Sequence, residues 1–162
     1  MIGIDSNVLV YAHRADSPWH GIAKRCLQEL VESGAEWAIP WPCLHEFLAI
    51  ATHPTIFKPP TPLEAALDQV DAWLEAPNLA MLGEADGYWA MLRSALVKSK
   101  TTGPMVHDAR IAAICIQHGV DPLWSADRDF GRFSELRVEN PLVTDRVSER
   151  PARYRRRRSR RR

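Results

Sequence analysis

The sequence predicts one α/β domain on a mainly parallel sheet. Three observations predict it. Short apolar runs of strand length alternate with longer segments of helical period. Cap and turn residues punctuate the joins. About 150 residues precede a C-terminal arginine run, the size of one domain, and they are rich in Leu, Ala, Val, Ile and Trp.

The elements follow in order. Ile2 and Ile4 lead to Asp5, a buried strand with an acid at its C-terminal end. A short helix is predicted over 7–13. Asp16-Ser17-Pro18 offers an N-cap and an N1 proline. Trp19, Ile22, Ala23, Cys26, Leu27 and Leu30 then trace one helical face, which Gly34 ends. Residues 36–39 read as a second strand. A helix over 41–53 sets Trp41, Leu44, Leu48 and Ala51 on one side. Residues 54–62 hold four prolines and are a loop. Thr61-Pro62-Leu63-Glu64 is a capping box, launching a helix with Leu63, Ala66, Leu67, Val70, Trp73 and Leu74 on its apolar face.

Residues 78–82 are a third strand. Ala85, Tyr88, Trp89, Leu92, Ala95, Leu96 and Ser99 mark the stripe of a further helix, broken at 101–104. An Ala- and Ile-rich helix over 105–118 stops at Gly119. Residues 122–125 are a fourth strand, 127–133 a short helix, and Val138 part of a last edge strand.

The net charge of +1 conceals a split. Residues 150–162 carry nine Arg and no acid; the rest keeps 12 Lys and Arg against 20 acids, a balance of −8. The N-terminus has no basic region of a secretory signal, and no run approaches the ~20 apolar residues of a membrane span. Cys26, Cys43 and Cys115 are widely spaced in apolar stretches, which argues against a disulfide framework or a zinc site. The expectation is a cytoplasmic protein with buried, inert thiols.

Open parallel sheets place their sites beyond the carboxyl ends of the strands. That rule selects Asp5, Asp127 and, two residues on, Asp129. Asp108 lies in the first turn of the 105–118 helix, where the helix dipole favours a carboxylate. Glu46 sits mid-helix among Ala49, Ile50 and His53. Each acid also has a plain reading, as a helix cap, a first-turn acid or a side chain reaching water. If they converge, their mutual repulsion calls for a divalent cation. Oxygen-only ligands suit Mg²⁺ or Mn²⁺, and the chemistry would be phosphodiester or phosphate-ester hydrolysis.

Four segments carry a resemblance: IDSNVLVYAHR, PCLHEFLAIATHPTIFKPP, VHDARIAAICIQHGV and WSADRDFGRFSELRVENPL. In this order and spacing they resemble the PIN-domain ribonucleases, and among them the VapC toxins of bacterial toxin–antitoxin modules, over about residues 2–142. The resemblance implies a PIN-like three-layer sandwich on four to five strands, with a nuclease domain at 1–145; the Arg-rich stretch at 146–162 departs from the family pattern and is expected, from its composition, to be a disordered tail. It implies that Asp5, Glu46, Asp108 and Asp127 are the catalytic acids, with Asp5 and Asp108 the principal metal ligands. Asp129 falls on an accessory acid, and Ser6 or Asn7 on a polar position that hydrogen-bonds the first or fourth acid. The implied activity is Mg²⁺- or Mn²⁺-dependent RNA cleavage by in-line attack of water, leaving a 5′-phosphate and a 3′-hydroxyl. The implied partners are RNA, a cognate antitoxin and a second copy of the chain, with no membrane.

Other residues invite chemistry less strongly. His45 and His107 each adjoin a site acid but point a quarter-turn away, which suits surface or outer-shell roles. His53 reads as a helix-end polar residue. The six tryptophans read mostly as core. Arg110 and Arg128 could hold phosphate or balance acids. Two other functions stay open from the residues. A haloacid-dehalogenase-type phosphatase needs D-x-D, where position 7 is Asn, and a placed Lys, where the body has four. A non-catalytic RNA- or protein-binding module would leave the acids structural. The arginine tail reads as an RNA grip, a segment folded on the acidic body, a contact for acidic partners, or a dispensable extension.

Overall fold

The computed structural model describes residues 1–143. The boundary expected at 145/146 and the arginine tail lie outside the described residues. Five strands form one sheet: β1 (Ile2–Ile4), β2 (Trp37–Pro40), β3 (Leu79–Leu82), β4 (Leu123–Trp124) and β5 (Val138–Glu139). Their order is β3-β2-β1-β4-β5, and every neighbouring pair is parallel. The helices are α1 (Ser6–His13), α2 (His20–Glu32), α3 (Trp41–Ala51), α4 (Leu63–Leu74), α5 (Tyr88–Ser99) and α6 (Val106–Gln117). Helix α1 packs on α2 and α3, α3 on α4, and α5 on α6, giving helical layers about the sheet. The predicted α/β sandwich is thus present, and its sheet is wholly parallel.

β1 is central because its residues are small or fully apolar. Ile4 is wholly buried. A Cβ on Gly3 would stand 2.7 Å from Val120 Cγ1, so any side chain there would displace Val120 in the turn after α6. All four residues of β2 are buried, as a strand covered on both faces requires. The Trp37 indole N–H donates to the Pro77 carbonyl at 3.1 Å, which satisfies its one buried polar atom. Phe47 of α3 meets Trp73 of α4 edge-on, ring centroids 4.8 Å apart. Truncating such a fully buried Phe costs about 3–5 kcal/mol.

Local cap signals were overridden twice. Helix α2 begins at His20, with no side-chain cap. Asp16 is instead held by Arg14 at 2.6 Å, and Ser17 Oγ accepts from the Trp19 amide at 3.2 Å. Helix α4 likewise starts after Pro62 with no side-chain cap. The Thr61 hydroxyl is buried and accepts from Arg14 Nη1 at 3.1 Å, with His13 Nε2 at 3.2 Å. At Asp16 and Ser17 other local partners take the cap groups, whereas at Thr61 a tertiary partner does.

Three apolar stripes also differ. In α3 the buried face is Cys43, Leu44, Phe47 and Ala51, while Trp41 is exposed and Leu48 half-buried. In α4, Ala66, Val70 and Trp73 are buried, but Leu63, Leu67 and Leu74 face out. In α5 only Ala95 is buried, and Trp89 is 67% exposed. Of the six tryptophans, Trp37 and Trp73 are core; Trp19, Trp41 and Trp89 are exposed, so core packing explains fewer than expected. The short helix expected at 127–133 is a 3-10 helix over Arg128–Arg132. Among the described residues, no helix is long and apolar enough to cross a membrane.

Candidate active site

The site is built at the carboxyl ends of β1 and β4. These strands are neighbours, and the Asp5 amide donates to the Trp124 carbonyl at 3.0 Å. That bond sets Asp5 and Ser125 side by side just past the sheet. Asp5 caps α1, its Oδ1 accepting from the Ser6 amide at 2.8 Å. The cap reading therefore holds for the same carboxylate that the sequence offers as a site acid.

Asp5 is 2% exposed. Its Oδ2 accepts from Ser125 Oγ at 2.6 Å and from Asn7 Nδ2 at 2.6 Å. The Cys43 thiol lies 3.6 Å from Oδ1. Burial pushes the Asp5 carboxyl up to about 6. The bonds from Ser125 and Ser6 oppose that rise, and the charge of Glu46 adds to it. The same environment raises the Cys43 thiol well above the usual range, so it stays a neutral packing group beside the carboxylate.

Glu46 enters from the middle of α3. The side chain is solvent-facing, yet Ser6 Oγ donates to its Oε2 at 2.6 Å. Asn7 works in both directions. Its Nδ2 donates to Asp5 and also lies 3.0 Å from Ser125 Oγ; its Oδ1 accepts from the Ala126 amide at 3.1 Å. Both residues of the sequence pair Ser6/Asn7 are thus engaged, one with the second acid and one with the first.

Asp127 caps the 3-10 turn, accepting from the Asp129 amide at 2.8 Å. Its own amide donates to Ser125 Oγ at 3.0 Å. Asp129 also pairs with Arg132 at 3.0 Å. Asp108 stands at the third position of α6. Its carboxyl is raised, first by partial burial, then by the charges of Asp127, Glu46 and Asp129, with Arg132 opposing. Glu46 is the acid whose charge is felt by both Asp5 and Asp108.

Two clefts flank these acids. One, of about 400 Å³, is lined by His45, Glu46, His107, Asp108 and Arg110. The other, also about 400 Å³, is lined by Ser125, Asp127, Arg128, Asn140 and Val143. His45 stacks obliquely on Trp41. Arg110 is paired with Glu84 at 2.8 Å and not with a site acid. His53 lies past the end of α3, where its Nδ1 accepts from the Thr55 amide at 3.2 Å.

Ser125 is the residue that sequence reasoning missed. It is 2% exposed and ties Asp5, Asn7 and Asp127 together. Its signal was its place, the last residue of the fourth predicted strand and two before an acid.

Among the described residues, no group of three or more His, Cys, Asp or Glu side chains is already arranged to hold a metal ion. The donor chemistry still fits one. All the acids present oxygen, and the carboxyls of Asp5 and Asp108 are raised by burial and, in smaller part, by the charge of neighbouring acids. Mg²⁺ keeps several waters and commonly takes only one or two carboxylates from the protein.

A family model described as PIN domain matches residues 2–136. The chain is 32% identical over 138 residues to Ribonuclease VapC48 of Mycobacterium tuberculosis, covering 85% of this chain and 95% of that protein. Among solved structures it is similar to VapBC2 from Rickettsia felis bound to a DNA fragment from its promoter, with a TM-score of 0.62 and 21% identity over 86% of this chain and 98% of that one. It is also similar to VapC20 of Mycobacterium tuberculosis, described as a Sarcin-Ricin loop cleaving toxin, with a TM-score of 0.60 and 17% identity over 85% of this chain and 99% of that one. With a family match across nearly all of the described residues and a relative 32% identical over 95% of its length, the chain belongs to the PIN-domain family and, within it, to the VapC ribonucleases.

Proposed function

We propose that this protein is a divalent-metal-dependent endoribonuclease and the toxin of a toxin–antitoxin pair. The observation that carries the reading is the coupled acid group: Glu46 acts on both Asp5 and Asp108, and Ser125 joins Asp5 to Asp127. Asp5 and Asp108 would hold Mg²⁺ or Mn²⁺. When bound, the ion would polarise the scissile phosphoryl group and ease deprotonation of water. Ser6 fixes the Glu46 carboxylate, which orients the attacking water and accepts its proton. Ser125 and Asn7 keep Asp5 ionised and aimed. Asp127, oriented by its cap bond, completes the acid ring from β4, with Asp129 beside it. In-line displacement leaves a 5′-phosphate and a 3′-hydroxyl.

The partners in this reading are RNA, a cognate antitoxin and a second copy of the chain, in the cytoplasm. Exposed Leu63, Leu67 and Leu74 on α4 and Trp89 and Val97 on α5 supply apolar surface for protein partners. The similar VapBC2 structure from Rickettsia felis supports an antitoxin partner. The phosphatase alternative lacks D-x-D at the end of β1, where Asn7 follows Asp5 and Ser6, and has no family match in its favour.

Purified protein should cut RNA with Mg²⁺ or Mn²⁺ and not with EDTA. Asp5→Asn or Asp108→Asn should lower cleavage by about 10³-fold or more and relieve growth arrest, with the fold retained. Full activity in either variant would overturn the ligand assignment.

A further inference from the structure

The cleft lined by Glu46, Asp108 and Arg110 also carries an aromatic pair that the acid chemistry does not use. Trp41 opens α3 directly after β2, so it stands at the carboxyl edge of the parallel sheet, the edge that bears Asp5. His45 is four residues on and therefore shares its helix face. The two rings lie 6.2 Å apart, centre to centre, tilted by 32°. The buried face of this helix is Cys43, Leu44, Phe47 and Ala51, so the core needs neither ring. Trp41 is 42% exposed, and the exposed His45 lines the cleft beside Glu46.

The indole is braced on one side. A Cβ on Gly83, just past β3, would meet Trp41 Cδ1 in ordinary contact at 3.7 Å. The segment that follows is pinned to the end of α6. His118 Nε2 donates to the Gly83 carbonyl at 2.8 Å, the Ala85 amide to Gln117 Oε1 at 3.2 Å, and Gln117 Nε2 to the Asp86 carbonyl at 2.8 Å. Glu84 in the same segment holds Arg110 at 2.8 Å. The α6 side of the cleft supplies His107, Asp108 and Arg110, which are polar. A cleft of about 400 Å³ is within the size of small-ligand sites, roughly 300–1,000 Å³. Aromatic rings on α3 and polar groups on α6 match the two ends of a nucleotide. Unpaired RNA bases stack on Trp and His faces with little regard to base identity.

We propose that Trp41 and His45 form a stacking platform for one unpaired base of single-stranded RNA, seating that nucleotide beside the phosphate on which Glu46 and Asp108 act. This rests on the ribonuclease reading and adds what holds the strand against the acids.

The test is fluorescence anisotropy with the full chain in EDTA, using two short labelled strands of equal length. One is single-stranded RNA; the other has the same ribose-phosphate backbone without bases. Both carry the same phosphate charge, so their affinity ratio isolates the bases. Wild type should prefer the base-bearing strand by about 5- to 150-fold for one stacked base. Trp41→Ala should lose most of that preference and bind the abasic strand as wild type does. Trp41→Phe, which restores a ring, should keep most of it, and His45→Gln should fall between. Equal affinity of wild type for the two strands, or binding to neither, would overturn the proposal. A preference kept in Trp41→Ala would overturn it and leave the exposed indole to a protein partner. Equal weakening of both strands would show that the ring shapes the cleft without meeting a base, and would overturn it too. Should Trp41→Ala fail to fold, Trp41→Phe and His45→Gln decide by the same ratio. Cleavage by wild type with Mn²⁺ is read separately. A chain that cuts but shows no preference fails here alone, whereas one that shows the preference but does not cut fails the ribonuclease reading.

Discussion

The two halves of the acid site are held in opposite ways. On the β1 side, Asp5 is buried and takes hydrogen bonds from Ser6, Asn7 and Ser125. On the α6 side, Asp108 is half-buried, and its carboxyl is raised first by that burial and then by the charges of Asp127, Glu46 and Asp129. One half is fixed by donors and the other is poised by repulsion. In the proposed mechanism, a divalent cation would offset the repulsion in the second half.

The largest test of this contrast is the pH dependence of stability without metal. The folded pKa of Asp5, about 6, lies above the ordinary carboxylate value near 4. Folding therefore favours its protonated form. The contribution is full below about pH 4 and is lost as pH rises through about 6, by up to about 3 kcal/mol. Thermal melts in EDTA should show that fall, and Asp5→Asn should flatten it. An unchanged profile in the variant would mean Asp5 is not the buried titrating acid. Divalent cation should reduce the fall, because it favours the ionised form.

Ser125→Ala removes one hydroxyl from three partners. It leaves the Asp127 amide and an Asp5 oxygen short of a bond, and denaturant melts should show a loss of about 1–3 kcal/mol. Cleavage should fall with it, since both acids lose their aim. A fully stable, fully active variant would refute the donor-fixed description of this half.

Asp108→Asn should do the reverse on stability. It relieves repulsion from three acids, so the metal-free melting temperature should rise slightly while cleavage is lost. A lower melting temperature would show that Asp108 is held by favourable bonds. Asp129→Ala should be the mildest. Its pair with Arg132 is exposed, so stability should change by less than about 0.5 kcal/mol, and cleavage should drop far less than for Asp108→Asn.

Much of the site was legible because it lies on strand ends. Asp5 and Asp127 follow short apolar runs, and position alone selects them. Glu46 was less legible. Its helix neighbours suggest a buried acid, yet it is exposed and reaches the site through Ser6. Ser125 was illegible as a site residue, since a serine at a strand end has no chemical signature until its three partners are known. Thr61 failed for a related reason: the local cap pattern was intact, but Arg14 and His13, 47 and 48 residues away in sequence, took its hydroxyl.

By itself the sequence determined the alternation of strands and helices, the parallel sheet, the acids at strand ends and the split between an acidic body and a basic tail. These follow from apolar periodicity, turn residues and charge counts, which are local properties. Tertiary structure alone decided the strand order that sets β1 beside β4, which faces of α3, α4 and α5 are buried, and which hydroxyl meets which carboxylate. Those depend on contacts between residues 40 to 120 apart, as in Ser6 with Glu46 and Asp5 with Ser125. A local pattern can offer a donor or an apolar face, but only the packed chain assigns it a partner.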